Sequence, residues 1–355
     1  MSAEDQMQYI DLPNSEVTPF LNLPVQKIVK NKSLVMMDEP AIIFHGETYT
    51  YRWLEARAGA IAQFIEDQQI ETGSRIGLCL SRTPDMIAAM YGILKAGCAY
   101  VFMLPEFPAA RLQYMLQASQ AALLLYDRKA ANLMPEDFLT TVDYCKVALL
   151  PKGEVSRYVD RPIQQDSLVN VLFTSGSTGK PKGVMLRHRS ISNLYSQMKT
   201  LLDPIEGTVL CSTNTVFDCF VVETMIALAL GRTVVLADEE EMMLPWKLAQ
   251  LMENYNTGIF EMTPSRLGLY FENEAFCRAA NKISLLMVGG EALNKPLLDK
   301  FYKHSNGTLL NMYGPSEATV YTTMGIIPHD GHITIGSQVM NTRVYVVDEK
   351  LKPVI

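Results

Sequence analysis

From about residue 40, short apolar runs of strand length alternate with stretches whose apolar positions recur at helical spacing. Val35 to Phe44 reads as extended, and TYTYRWLEARAGAIAQFIED carries a helical period ending near Gln69. RIGLCL (75–80) is a continuous apolar run. PDMIAAMYGILKAG (84–97) is helical and closes on a glycine, the usual C-terminal cap. CAYVFM reads as a strand, PAARLQYMLQASQA as a helix with proline in its first turn, and ALLLYD as a strand. Together these make one βαβαβ half.

Residues 128–166 carry scattered charge with Pro151, Gly153 and Pro162, and read as a connector. A second series then runs through strands VNVLFT (169–174), GVMLRH, TVLCST, RTVVLAD, GIFEMT, SLLMVGG and TLLNMYG. Helices are predicted between them, over 190–202, from about Asp218 to Leu230, over 245–255, from Ser265 and from Asn294. Near-continuous hydrophobic strands separated by helices predict α/β architecture, with largely parallel sheets covered on both faces. The last 40 or so residues change character: VYTTMGIIP, HITIGS and RVYVVDE read as short strands punctuated by Gly, Pro and Asn. The expected division is a first α/β subdomain over 1–150, a second over 151–318, and an incomplete β-rich segment over 319–355.

Composition narrows the classes. The 355 residues are 48% hydrophobic and 19% charged, so a sizeable core is expected. The net charge of −7 argues against a broad electrostatic grip on nucleic acid or anionic membrane. The N-terminus has neither the basic start nor the apolar stretch of a signal peptide, and no apolar run reaches the ~18 residues of a membrane span. A soluble, cytoplasmic protein is expected. The cysteines at 79, 98, 145, 211, 219 and 277 are irregularly spaced, which suits buried thiols in a reducing compartment. The five histidines show no paired-ligand spacing.

VLFTSGSTGKPKGVML (171–186) concentrates the candidate chemistry. A buried-type strand ends at Thr174, and the following residues hold Gly176, Gly179, Gly183, Ser175, Ser177, Thr178, Lys180 and Lys182. Glycines let backbone N–H groups approach an anion, hydroxyls add donors and lysines add charge, which is the chemistry of a phosphate cradle. A flexible surface loop is the structural alternative. The P-loop pattern fails at Thr174 and Pro181, and GxGxxG is not present.

TSGSTGKPKGV resembles the phosphate-binding signature of the adenylate-forming enzymes. LKAGCAYVFMLPEFPAARLQYML (94–116), NTVFDCFVVE (214–223), NMYGPSEAT (311–319) and IGSQVMNTRVYVVDEKLKPV (336–354) are similar to segments of one group of them, the adenylation domains of nonribosomal peptide synthetases. The resemblance implies two βα-layered subdomains, the start of a small β-barrel subdomain, and an absent C-terminal α+β domain without which adenylation would be weak. It implies an ATP-Mg²⁺ enzyme joining an α-amino acid to AMP with release of pyrophosphate, for loading onto a carrier protein. A peptidyl carrier protein and a condensation domain are the implied partners. A stand-alone acid–CoA ligase and a catalytically incompetent nucleotide-binding scaffold are the alternatives.

By the same resemblance, Thr174, Ser175, Gly176, Ser177, Thr178 and Gly179 with Lys182 hold the β- and γ-phosphates. Gly289, Gly290 and Glu291 pass one face of the adenine, while Asn311 bonds its amino group and Tyr313 stacks on it beside Met312 and Gly314. Ser316 touches the α-phosphate, and Glu317 binds Mg²⁺; Thr174, Lys182 and Glu317 are the implied catalytic residues. Asp218, next to Phe217, pairs with the substrate ammonium; a helix N-cap is its structural alternative. Cys219, Val222, Glu261, Leu286, Val288, Met312, Val320 and Tyr321 complete the implied pocket. Glu261 sits in an otherwise hydrophobic strand, where a carboxylate needs a donor or a cation. A basic or polar substrate side chain would supply one; Arg266 or a water is the structural alternative. His188 opens HRSISN as either a residue orienting the site or a satisfied core histidine.

Overall fold

The computed structural model describes residues 17–127, 130, 158–174 and 181–354, together with the backbone of 144–146. Its strands are β1 (Pro40–Phe44), β2 (Glu47–Thr50), β3 (Arg75–Cys79), β4 (Ala99–Phe102), β5 (Ala121–Tyr126), β6 (Tyr144–Lys146), β7 (Leu168–Thr174) and β8 (Lys182–Arg187). There follow β9 (Thr208–Cys211), β10 (Val234–Leu236), β11 (Thr257–Met262), β12 (Leu285–Gly289), β13 (Thr308–Tyr313), β14 (Thr323–Ile326) and β15 (Ser337–Gln338).

They form a nine-stranded sheet, in the order β15-β14-β13-β12-β11-β9-β10-β1-β2, and a six-stranded sheet, in the order β6-β5-β3-β4-β7-β8. Both are parallel in their middles, as the continuous apolar runs predict, and antiparallel at their margins. Neither sheet follows the sequence division at 150. β1 and β2 join the second-half sheet through the parallel pairing of β1 with β10, while β7 and β8 join the first-half sheet through β4. Each half therefore lends a strand pair to the other, so a cut there would sever sheet hydrogen bonds on both sides.

Side-chain alternation builds three cores. On β3, Ile76 and Leu78 face a central core shared by both sheets, while Cys79 faces the outer layer. On β12, Leu285 and Met287 face that central core, and Leu286 and Val288 face the outer helices. The helices Val25–Val35, Tyr51–Asp67, Pro84–Lys95 and His188–Leu202 contribute to the central core. Pro84 opens its helix at the first turn, and Gly97 follows its end at φ +74°, as the glycine signal predicts.

Several elements differ from the sequence reading. A helix over Val25–Val35 precedes the first strand, and extended chain begins only at Pro40. The helix expected from Asp218 begins at Phe220 and widens into a π-helical turn, Val222–Ile226, before Ala227–Ala229. The expected C-terminal strands shrink to β14, β15 and an isolated bridge between Val347 and Pro353. Exposed Tyr345, Val346 and Leu351 have no sheet to pack against there. Among the described residues no helix is long and apolar enough to cross a membrane. Cys79, Cys98, Cys211, Cys219 and Cys277 are unpaired thiols, and burial pushes the Cys98 thiol up to about 11. The side chain of Cys145 lies outside the described residues.

Candidate active site

β9, β11, β12 and β13 are parallel neighbours, and the chain leaving the carboxyl end of each contributes to one cavity. Crevices at such strand ends are where open α/β sheets bind ligands. The cavity holds about 550 Å³. Thr213 and Asn214 follow β9, Thr263 follows β11, Gly290 and Glu291 follow β12, and Gly314 follows β13. Phe217, Asp218 and Cys219 come from the segment before the π-helical turn, and Val320 and Tyr321 from the loop after β13.

Asp218 does not cap a helix. The helix begins at Phe220, and Asp218 Oδ1 accepts from the adjacent Cys219 amide at 2.9 Å rather than from an amide of the first helical turn. Ser316 lies near enough to favour the ionised form of this carboxylate. Burial nevertheless raises the Asp218 carboxyl above its ordinary value, those neighbours oppose the rise, and Glu317 adds to it.

Glu261 lies on the cavity face of β11 and is 7% exposed. The Tyr321 hydroxyl donates to its Oε2. Burial pushes the Glu261 carboxyl up to about 8, and the neighbouring Glu223 reinforces the rise. Arg266, the alternative partner, is committed elsewhere. Its Nη1 donates to Ser212 O at 2.8 Å, its Nη2 to Met242 O at 2.6 Å, and its Nε to the Tyr270 hydroxyl at 3.2 Å. Glu261 is thus a neutral acid held by a phenol at neutral pH.

The loop carrying Tyr321 is strained. Thr319 and Val320 both have φ +67°, a region costly for β-branched residues, and such strain gathers at ligand clamps. Gly314 lies against this loop: a Cβ there would come within 2.5 Å of Val320 O. The glycine of YGPSE is thus required by packing. Gly290, at φ +81°, lies in the open turn after β12.

Of the sequence-derived pocket residues, Phe217, Asp218, Cys219, Glu261, Met312, Val320 and Tyr321 line the cavity, with Gly289, Gly290, Glu291 and Gly314 of the nucleotide set. Leu286 and Val288 do not. Register pairs Glu261 with Met287 and Met312 with Gly289, so the cavity face of β12 carries 287 and 289, and Leu286 and Val288 pack in the outer core. A one-residue slip moves a strand's whole set of side chains to the other face. Val222 is buried in the central core at the start of the π-helical turn and lies outside the wall.

The expected nucleotide residues are more dispersed. Tyr313 is 54% exposed on β13. Asn311 is buried on the face opposite Met312, where its Nδ2 donates to Thr334 O at 2.7 Å. Glu291 accepts from the Ser265 amide at 2.9 Å, and so also tethers the start of the helix Pro264–Tyr270. Glu317 is exposed on the 3₁₀ turn Ser316–Ala318. Thr174 and Lys182 face each other across the β7–β8 ladder, outside the wall of this cavity. Ser175, Gly176, Ser177, Thr178 and Gly179 lie outside the described residues, as does Lys180.

His188 is fully buried, and its Nδ1 accepts from the Val25 amide at 3.3 Å. Burial lowers it to about 3, so it is a neutral core histidine tying helix to helix. Among the described residues, three ligand-type side chains converge at His45, Asp238 and Glu241, but Asp238 and Glu241 are already joined in a helix capping box.

Sequence reasoning missed Thr213, Asn214, Met262, Thr263 and Arg266 in the wall. The signal was available: each lies in or just after a strand whose neighbour carries a recognised motif, so parallel topology alone brings them together.

The model of the AMP-binding enzyme family matches residues 30–355. Bacitracin synthase 3 of Bacillus licheniformis is 32% identical over 321 residues, covering 89% of this chain and 5% of that protein. Tyrocidine synthase 3 of Brevibacillus parabrevis is 32% identical over 336 residues, covering 93% and 5%. The chain thus spans a small part of the curated relatives it matches. The solved structure of holo-AB3403, a four-domain nonribosomal peptide synthetase bound to AMP and glycine, superposes with TM-score 0.85 at 26% identity, over 100% of this chain and 26% of that one. The strand-end cavity, the motifs and these matches agree: the chain belongs to the AMP-binding enzyme family.

Proposed function

We propose that this chain is the amino-acid-activating core of a nonribosomal peptide synthetase. It binds ATP and an α-amino acid and joins the amino-acid carboxylate to the α-phosphate, releasing pyrophosphate. The attacking oxygen is already an anion at neutral pH, so no general base is needed. The difficulty is bringing an anion to a polyanion, and catalysis is positioning plus charge compensation. Asp218 carries the reading. It is a half-buried carboxyl in the cavity wall, beside no cation among its bonded partners, and suits the ammonium of an amino acid rather than the tail of a fatty or aryl acid. That is what favours this reading over an acid–CoA ligase.

Asp218 and Glu261 would hold the amino acid; Gly289, Gly290 and Tyr313 would flank the adenine; Thr174, Lys182 and the Gly/Ser/Thr sequence between them would hold the β- and γ-phosphates. Ser316 lies beside Asp218, so its hydroxyl would reach the α-phosphate of a nucleotide bound there. Mg²⁺ fits the donor set. Glu317 is an exposed hard oxygen ligand beside the cavity, and the phosphates would supply the others. Bound there, the ion would neutralise phosphate charge. The carrier protein and condensation domain of an assembly line are the proposed partners, the first receiving the activated aminoacyl group.

Amino-acid-dependent exchange of labelled pyrophosphate into ATP tests the proposal. Exchange is expected with amino acids and not with fatty or aryl acids, and Asp218→Ala is expected to raise the amino-acid requirement far more than the ATP requirement. Equal loss of both would count against the assignment.

A further inference from the structure

The cavity contains more acid than an α-ammonium needs. Besides Asp218 it presents Glu261, and Glu223 acts on Glu261 from behind the wall. Glu223 is fully buried: one oxygen accepts from the Thr213 amide at 2.9 Å and the other, Oε1, has no partner. The Tyr321 hydroxyl bonds Glu261 and the Cys219 thiol lies near it, and neither brings positive charge. The nearby cations are already committed. Arg82 donates to the carbonyls of Ala237, Thr213 and Cys211 at 2.6, 2.7 and 2.7 Å, and Arg266 to those of Ser212 and Met242. A buried carboxyl without a cation stays protonated, which is the state burial gives Glu261.

We propose that the cavity selects an α-amino acid whose side chain carries a second cationic group, the class of ornithine, lysine and arginine, with Glu261 as the partner of that cation and Tyr321 as the donor that positions it. The inference rests on the amino-acid-activating reading above. On binding, the Glu261 O–H bond breaks, its proton leaves to solvent, and the carboxylate pairs with the entering cation; no other bond changes. An apolar side chain leaves the proton in place. Asp218, Glu223, Cys219 and Tyr321 titrate around Glu261, with Arg266 and Arg82 as the nearby fixed charges. Asp218 meets the α-ammonium of either ligand class, so its contribution cancels in a comparison between them.

The test is calorimetric titration of the chain at pH 7, in two buffers of different ionisation enthalpy, with non-hydrolysable aminoacylsulfamoyl adenosines. The four probes carry ornithine, lysine, arginine and norleucine. At least one cationic probe is expected to bind roughly tenfold tighter than the norleucyl probe or better, the scale of a close charge pair, and to release about one proton. The norleucyl probe is expected to release none. Glu261→Gln, checked for folding by retained AMP binding, is expected to erase both differences. Independently of any variant, the cationic affinity is expected to rise with pH and level off above about 8, where norleucyl binding begins to weaken, so their ratio rises across the range. Equal or tighter norleucyl binding, a preference that survives Glu261→Gln, or a ratio flat from about pH 6 to 9 would overturn the inference while leaving amino-acid activation intact. Failure of all four probes and of AMP to bind would overturn the activating reading, and this inference with it.

Discussion

Two regions of this molecule bury charge, and they do so in opposite ways. Around Lys95, which is 2% exposed, the charges balance: its ammonium lies 2.8 Å from Glu55 and 3.0 Å from Asp160, Lys30 reaches Asp160 at 3.2 Å, and Tyr91 donates to Glu55. This network pins the segment at 158–160 onto the helices Tyr51–Asp67 and Pro84–Lys95. Around Asp218, Glu261 and Glu223 no ion pair forms among the described residues, and burial raises all three carboxyls, opposed at Glu223 by the charge of Arg82. Buried charge that serves the fold is compensated within the fold. Acid left uncompensated along a cavity marks the place where compensation arrives with a ligand.

The largest effect should come from breaking the balanced network. Lys95→Met leaves Glu55 without its ammonium and Asp160 with Lys30 alone, and is expected to cost about 3–5 kcal/mol in urea unfolding, because a buried charge is stranded. Asp218→Ala should leave that unfolding curve nearly unchanged while raising the amino-acid requirement roughly a hundredfold in exchange assays. If Asp218→Ala unfolded the chain and Lys95→Met did not, the contrast would be reversed.

The pH dependence of stability separates the regions next. In the unfolded chain Glu261 ionises near 4.5, and in the folded chain only near 8. Between those values the folded state holds one proton more than the unfolded state, so stability falls as pH rises, by up to about 1.4 kcal/mol per unit. Glu261→Gln should flatten that part of the curve in thermal melts taken across the same window. A slope unchanged by the substitution would place the titration elsewhere. The smallest effect should follow from Gly289→Ala. A Cβ there comes within 2.9 Å of Met312 O, so the strand pair must shift slightly, at a cost of roughly 1 kcal/mol with weaker amino-acid binding.

Much of this was legible in the residues. The apolar runs fix the parallel strands because those strands are buried on both faces; Glu261 stands out as a carboxyl in an apolar strand, and Asp218 through the resemblance of NTVFDCFVVE. What was not legible lies in pairing. No local pattern reveals that β1 joins β10 or that β7 joins β4, since such partners are chosen by long-range packing. Strand register was equally hidden. LLMVGG reads as core at every position, and only the pairing of Gly289 with Met312 turns 287 and 289 toward the cavity and 286 and 288 away. The π-helical turn escaped for a related reason: VVETMIAL has an ordinary helical period, and one extra residue in a turn leaves no trace in composition.

The central claim is that an ammonium completes the acid cluster. A crystal structure of the chain with AMP and its amino acid tests it most directly. The account predicts the α-nitrogen within about 3 Å of a carboxylate oxygen of Asp218. An amino acid bound with its nitrogen turned away from Asp218, or seated outside the cavity at the ends of β9, β11, β12 and β13, would contradict it.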